Sequence, residues 1–331
     1  MNSSPEGAKG GEAIGLVGDV GGTNARFAIA HMRGGAIRIS DAKVLQAAEF
    51  STGAEAVSAY LSGLEQRPDL AVIAAAGPVE GGAVNFTNNR RWRFSEAELT
   101  RSAGLRHVRL INDFAGQALA LGHLKAEALH RIGPHGKGFP GGARVVMGPG
   151  TGFGLAALVE GMSGPVAVPG EGGHIAFAPH DAIEAEILAW LGRRHGHVSI
   201  ERVLSGPGLL NLYQALGEIQ AEPTPLTAPA DIAQAALANE KLARTALDRF
   251  CGVLGSVAGD FALAFGARSG VFISGGIAPE ILDVLEASDF RRRFEDKGRM
   301  SEYLRTVSTH VVLEPHAALI GAATQLRMLQ P

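Results

Sequence analysis

The chain has 331 residues, 45 of them glycine, a single cysteine and a formal net charge of −3. That length accommodates two domains and a large buried core. The charge balance, with no long basic block, argues against a nucleic-acid-binding surface. One cysteine, Cys251 in an apolar helix-like run, excludes an intramolecular disulfide and a cysteine-rich zinc site and reads as core.

Residues 1–12, "MNSSPEGAKGGE", are polar and lack an apolar h-region, so they read as a disordered tail and not as a signal peptide. No apolar run approaches the ~20 residues of a membrane span, so no membrane partner is expected and the cytoplasm is the expected setting. Strand-like runs at 14–17, 26–30 and 36–46 follow one another as hairpins. A helix over about 54–66 and an apolar strand over 70–77 come next. Ser95 and Glu98 have capping-box spacing at the head of a helix over 95–103. "HVRLIN" (107–112) is a short strand running into a helix from Asp113 that Gly122 is placed to end.

The second half repeats the opening. "RVVMGPGTGFGLAALV" (144–159) is again strand, glycine turn, strand, and a short strand at 165–168 follows. Helices are expected near 181–194, 207–217, 229–237 and 240–265, with Arg291-Arg292-Arg293 on a solvated helix face. "GVFISGG" (270–276) reads as a buried strand with a helix over 279–287 after it, and "HVVLE" (310–314) as the last strand. The closing helix is full of small residues, Ala317, Ala318, Gly321, Ala322 and Ala323, which implies close packing. Two hairpins with glycine turns, each followed by alternating helices and strands, predict a duplicated α/β fold with a cleft between its halves.

"GDVGGTNAR" (18–26) holds Gly18, Gly21 and Gly22 around the acid Asp19. Glycine tolerates positive φ and admits close approach to the backbone, and a turn rich in N–H groups is a nest for an anion. An acid inside such a nest suits an anion that arrives with a cation, as Mg-ATP does; the alternative is a plain hairpin turn. No G-x-x-x-x-G-K-[ST] and no G-x-G-x-x-G occurs, so neither a P-loop nor a dinucleotide fold is expected. The turn "GPGTGFG" and the pair Gly275-Gly276, at a helix start, are further candidate phosphate or polar-ligand contacts.

Asn112-Asp113 ends a strand and starts a helix. It reads either as an N-cap or as a carboxylate kept ionised by the helix dipole and able to take a proton from an alcohol. "PGEGGHIAF" (169–177) carries Glu171 and His174, and "HVSIERVLSGPG" (197–208) adds Glu201. These read as a flexible loop with a solvated acid, as a metal site disfavoured by the spacing, or as acceptors and donors for the vicinal hydroxyls of a neutral polyol.

In these motifs the chain resembles the bacterial glucokinase family of the hexokinase–actin–heat-shock-protein superfamily. The likeness runs from "GLVGDVGGTNAR" through "INDF", "GPGTGFG", "PGEGGHIAFAP", "GHVSIERVLSGPGLLNLY" and "GVFISGGIAP" to "FEDKGRM". It implies two actin/hexokinase-like (ribonuclease H-like) α/β domains with an interdomain cleft: a small one over 13–112 plus about 316–331, and a large one over 113–315. It implies ATP-dependent phosphorylation of D-glucose at the 6-hydroxyl, the first step of glycolysis. Asp113 would be the catalytic base. Asn88, Asn112, Glu171, His174 and Glu201 would hold sugar hydroxyls, although "TNNRRW" is one residue longer than the family pattern and leaves Asn89 as an alternative to Asn88. The turns Gly18-Asp19-Val20-Gly21-Gly22-Thr23 and Gly150-Thr151-Gly152 would hold ATP phosphates. Asp19 would meet Mg²⁺ through water, and Gly275 and Gly276 would lie near the adenosine. The family is usually homodimeric. A kinase for another hexose shares every motif, whereas a sugar sensor would need an output domain, and about a dozen residues before the first strand are too few for a DNA-binding one. An actin-like filament protein would not need the polar cluster.

Overall fold

The computed structural model describes residues 13–33, 36–86, 89–134, 136, 138–162 and 164–329, with 89–91 described by their backbone alone. The expected tail at 1–12 and the sugar candidate Asn88 lie outside the described residues. The chain divides into two compact units: Met1–Leu124 with His316–Pro331, and Lys125–Pro315.

In the first unit, β1 (Ala13–Val20), β2 (Asn24–Arg33) and β3 (Ala36–Gln46) form successive antiparallel pairs. Then come α1 (Gly53–Ser62), β4 (Leu70–Ala75), the hairpin β5 (Ala83–Phe86) and β6 (Asn89–Ser95), α2 (Glu96–Ser102), β7 (His107–Asn112) and α3 (Asp113–Ala120). The sheet runs β3-β2-β1-β4-β7, with β1, β4 and β7 parallel. Strand alternation supplies two buried faces. Leu16, Ala71 and Ile73 pack with Val57 and Leu61 of α1 and with Phe86, Trp92 and Phe94 of the hairpin. Val17, Ala28 and Val72 pack with Leu319, Ala322, Ala323 and Leu326 of the C-terminal helix, Ala317–Arg327.

The small residues of that helix have a specific partner. A methyl group on Gly321 would lie 1.6 Å from the carbonyl oxygen of Gly116 in α3, so the two helices meet backbone to backbone. This contact places Asp113–Leu124 in the first unit, whereas the sequence put the boundary after Asn112. The capping box also differs. Ser95 makes no side-chain cap bond, and Glu96 instead accepts from the Leu110 amide at 2.8 Å, fastening α2 to β7.

The second unit contains β8 (Leu129–Ile132), β9 (Arg144–Pro149), β10 (Phe153–Gly161), β11 (Gly164–Gly170), α4 (Ala182–His195), α5 (Gly206–Gln220), α6 (Pro229–Leu237) and α7 (Lys241–Ala264). It continues with β12 (Gly270–Ile273), α8 (Ile277–Glu280), α9 (Leu282–Ala287), α10 (Phe290–Glu295), α11 (Ser301–Arg305) and β13 (Thr309–Val312). Its sheet runs β11-β10-β9-β12-β13-β8. Two antiparallel pairings are followed by two parallel ones, β9 with β12 and β12 with β13, the same sequence of pairings as in the first unit, and β8 adds an antiparallel edge. The repeat seen in the glycine turns is thus a repeat of topology.

The arginine run does not form a solvated face. α10 packs on a glycine stripe of α7: methyl groups on Gly255 and Gly259 would lie 2.1 Å and 2.5 Å from the carbonyl oxygens of Phe290 and Phe294. That approach buries Arg291 and Arg293 and leaves Arg292 outside, paired with Asp289. Arg293 grips the fully buried Glu184 of α4 through two bonds of 2.5 and 3.0 Å. Arg249 of α7 adds a third at 3.1 Å and the His180 amide a fourth at 2.8 Å. Burial pushes the Glu184 carboxyl up, but Arg293 first, then the His180 amide and Arg249, hold it below the usual range. Cys251 is buried as expected, its thiol pushed up to about 12 chiefly by burial, which leaves it unreactive. Among the described residues no helix is long and apolar enough to cross a membrane.

Candidate active site

In the first unit the turn between β1 and β2 is tightly held. Gly21 donates to the Asn24 carbonyl at 2.9 Å, while the carbonyls of Val20 and Thr23 accept from Ala76 and Ala47 at 2.9 and 2.8 Å. Its glycines fall into two kinds. A methyl group on Gly18 would meet Ile73 at 3.0 Å and Phe27 at 3.1 Å, so its lack of a side chain serves the core. Gly21 and Gly22 have no positive φ and open surroundings, so neither turn geometry nor packing requires glycine there. Without side chains they leave the backbone open to close approach. Asp19 lies beside this opening, its Oδ2 3.7 Å from Arg26 Nη1. Burial raises its carboxyl above the usual range, and Arg26 and His316 pull the other way. A cation beside it would favour the ionised form further.

Asn112 and Asp113 sit where β7 becomes α3. Asn112 is the N-cap: its Oδ1 accepts from the Ala115 amide at 3.1 Å and its Nδ2 donates to the Gly77 carbonyl at 3.2 Å. Two of the four hydrogen bonds its amide can make are thereby used. Asp113, the first helical residue, accepts from the Phe114 amide through Oδ1 at 2.9 Å, within the positive end of the helix. The cap reading therefore holds for Asn112.

In the second unit the loop after β11 is not flexible in the way its glycines suggested. Methyl groups on Gly172 and Gly173 would lie 2.4 Å from Leu155 Cδ2 and 2.4 Å from the Phe153 carbonyl oxygen, so both glycines let the loop press on β10. The opposite side is fastened to the following segment: Phe177 donates to Val198, Ile200 to Ile175, and His197 Nε2 to the His174 carbonyl at 2.9 Å. Glu171 and His174 remain well exposed on this rigid support, their Oε2 and Nε2 3.9 Å apart. Glu201 follows Ile200 directly and turns its Oε2 to the Phe153 amide at 2.9 Å. Three expected polar residues thus gather at one end of β10, beside the Gly150–Gly152 turn.

That turn is organised by Glu201 as well. A methyl group on Gly152 would lie 2.5 Å from Glu201 Oε2, so glycine there makes room for the acid. Gly150 donates to the Gly152 carbonyl and accepts from Gly206 at the head of α5, at 2.8 and 2.9 Å. Thr151 is exposed and Gly150 has nothing within 4 Å of a methyl position. Beyond β12, Gly275 has φ +96° and presses on the Pro149 carbonyl, so its glycine is structural, whereas Gly276 is open at the head of α8. Among the described residues no group of three or more His, Cys, Asp or Glu could hold a metal ion, so Glu171 and His174 belong to no such cluster.

Sequence reasoning missed the β5–β6 hairpin and with it Trp92, which is buried and donates from Nε1 to the Gly21 carbonyl at 2.9 Å. An indole within "TNNRRW" was visible, but nothing in the sequence paired it with a turn 71 residues away.

The sequence profile of the glucokinase family matches residues 16–329. A glucokinase of Caulobacter sp. (strain K31) is 48% identical over 314 residues, 95% of each chain. The crystal structure of a glucokinase from an Antarctic psychrotroph superposes with a TM-score of 0.85 at 36% identity, covering 95% of this chain and 99% of that one. A ROK family glucokinase from Streptomyces griseus, solved in complex with glucose and AMPPNP, shares the fold at a TM-score of 0.63 and 20% identity, covering 96% and 100% of the two chains.

Proposed function

The chain belongs to the glucokinase family, and from that premise we propose how its residues carry out the reaction. The activity is transfer of the γ-phosphoryl group of ATP to the 6-hydroxyl of D-glucose, giving glucose 6-phosphate and ADP. The 6-oxygen forms the new P–O bond, the bond from the γ-phosphorus to the β–γ bridging oxygen breaks, and the hydroxyl proton passes to Asp113. Phosphoryl transfer of this kind asks the protein chiefly for positioning and charge stabilisation. Asp113, fixed at the start of α3, orients the hydroxyl and accepts its proton late. Asn112 has one donor and one acceptor position left for a neighbouring hydroxyl. Glu171, His174 and Glu201 hold the remaining hydroxyls, with Asn88 contributing as well. The Gly18–Thr23 and Gly150–Gly152 turns meet the phosphates through amides other than those of Gly21 and Gly150, which donate within their own turns, and Gly275 and Gly276 flank the adenosine.

The observation that supports this reading best is the grouping of Glu171, His174 and Glu201 against the Gly150–Gly152 turn. Acids without a basic excess suit a neutral polyol, and an open glycine turn beside them suits a phosphate. Mg²⁺ enters with the nucleotide as part of the substrate, and Asp19 is the carboxylate placed to meet it through water. We place the enzyme in the cytoplasm at the entry to glycolysis, which cell fractionation tests. We expect a homodimer, and sedimentation as a monomer would remove that expectation.

Glu171→Gln and Glu201→Gln test the sugar assignment. Each loses a charge-assisted acceptor worth about 1.5–3 kcal/mol, so the glucose KM should rise roughly 10- to 150-fold. Glu171→Gln should leave the ATP KM nearly unchanged. Glu201→Gln should raise it modestly too, because Glu201 also holds Phe153 beside the phosphate turn. A Glu171→Gln enzyme whose ATP KM moves while its glucose KM does not would remove Glu171 from the sugar.

A further inference from the structure

The direction of each N–H in the first glycine turn is set by where the preceding carbonyl is held. In a trans peptide the C=O of one residue and the N–H of the next point opposite ways, and no cis peptide occurs among the described residues. Backbone amides hold the Val20 and Thr23 carbonyls, from Ala76 after β4 and Ala47 after β3. The Gly21 carbonyl is held by a side chain, the indole N–H of Trp92 at 2.9 Å.

This peptide is the one most in need of an anchor. It joins two glycines, both free of side-chain restraint on φ and ψ, and Gly22 has nothing within 4 Å of a methyl position. The anchor itself is rigid. Trp92 is 1% exposed, belongs to the core between the sheet and α1, and meets Phe94 edge-on with centroids 5.2 Å apart. A flip of the Gly21–Gly22 plane would strip a buried indole of its acceptor.

We propose that Trp92 is a positioning residue for phosphoryl transfer: by holding the Gly21 carbonyl it turns the Gly22 N–H to the opposite side of the peptide plane, to the open side of the turn, as a donor to a nucleotide phosphate oxygen. The proposal rests on the reading of this turn as a phosphate site. Neither the glycine motif nor the Trp-containing stretch discloses the link, because it joins β6 to the end of β1 only in the folded unit.

Two variants separate the proposal from the reading beneath it. Trp92→Phe keeps a ring against Phe94 and removes the N–H. It should raise the MgATP KM roughly 3- to 10-fold, the range for one hydrogen bond, with the glucose KM and kcat close to the parent's. Gly22→Ala puts a methyl group where the phosphate would approach and should raise the MgATP KM whatever Trp92 does. If Gly22→Ala raises that KM and Trp92→Phe does not, the role of Trp92 is overturned and the phosphate reading stands. If neither variant moves it, the phosphate reading itself falls. A Trp92→Phe enzyme with a lower kcat and both KM values unchanged, or with only the glucose KM raised, marks a structural or sugar-side residue and overturns the proposal. Should Trp92→Phe fail to fold, amide hydrogen exchange on the unaltered protein decides. MgADP should slow exchange at Gly22, and exchange there that is unchanged with MgADP bound overturns the proposal.

Discussion

Asp113→Asn is expected to lower kcat by roughly 10²–10⁴, the range for loss of a general base, with the glucose KM changed far less. The substitution is nearly isosteric, and the asparagine oxygen can still accept from Phe114 as Asp113 does now at 2.9 Å. That bond at the start of α3 is therefore kept, and what is removed is the charge and basicity of the proposed base. Steady-state kinetics over a glucose series make the comparison, and turnover within about a factor of two of the parent would remove Asp113 from the chemistry. The neighbouring residue supplies a contrast. Asn112→Ala removes the N-cap bond to Ala115 and should cost about 1 kcal/mol of stability.

The second large effect is on stability. Glu184→Gln leaves the Arg293 guanidinium, 3% exposed, facing a neutral amide between α4, α7 and α10. Breaking a buried pair by removing one charge costs about 3–5 kcal/mol, and urea unfolding should report a loss of that order. The pH dependence has a definite sign. The Glu184 carboxyl is held below its usual range in the folded chain, so its contribution is present above the unfolded pKa and fades as pH falls through the folded one. The gap between parent and variant should accordingly be full near neutrality and close in acid. An unfolding midpoint equal to the parent's at pH 7 would contradict the account of α10 as a helix pinned by its arginines.

Most strands and long helices were legible because their signals are local. Strand runs near β1–β3 and β9–β10 and the buried stripe of α7 each follow from residues within one element. The repeat was legible as two glycine turns, and the sheets extend it to the full order of pairings. What the sequence could not disclose depends on partners distant along the chain. Arg291 and Arg293 carry the same charge as the exposed Arg292, and what buries them is the glycine stripe of α7 and the acid at Glu184. Asp113–Leu124 moved to the first unit because Gly321, about two hundred residues on, meets Gly116. At the site, residue types pointed to Glu171, His174 and Glu201. Their shared support on β10, and the use of Glu201 to hold the Gly150–Gly152 turn, appear only once that strand is paired. Glycine also concealed three different reasons for its presence, core packing at Gly18, room for Glu201 at Gly152 and a positive φ at Gly275, while Gly21, Gly22, Gly150 and Gly276 lie in open surroundings.

The central claim, glucose as acceptor and MgATP as donor at these residues, is tested most directly by a coupled assay of ADP release across a panel of hexoses, with the sugar product identified by ³¹P NMR. The account predicts ADP release that depends on D-glucose, stops when a chelator removes Mg²⁺ and resumes when Mg²⁺ is restored, and yields glucose 6-phosphate in equal amount. ADP release that proceeds without sugar, or a product phosphorylated at another position, would contradict it.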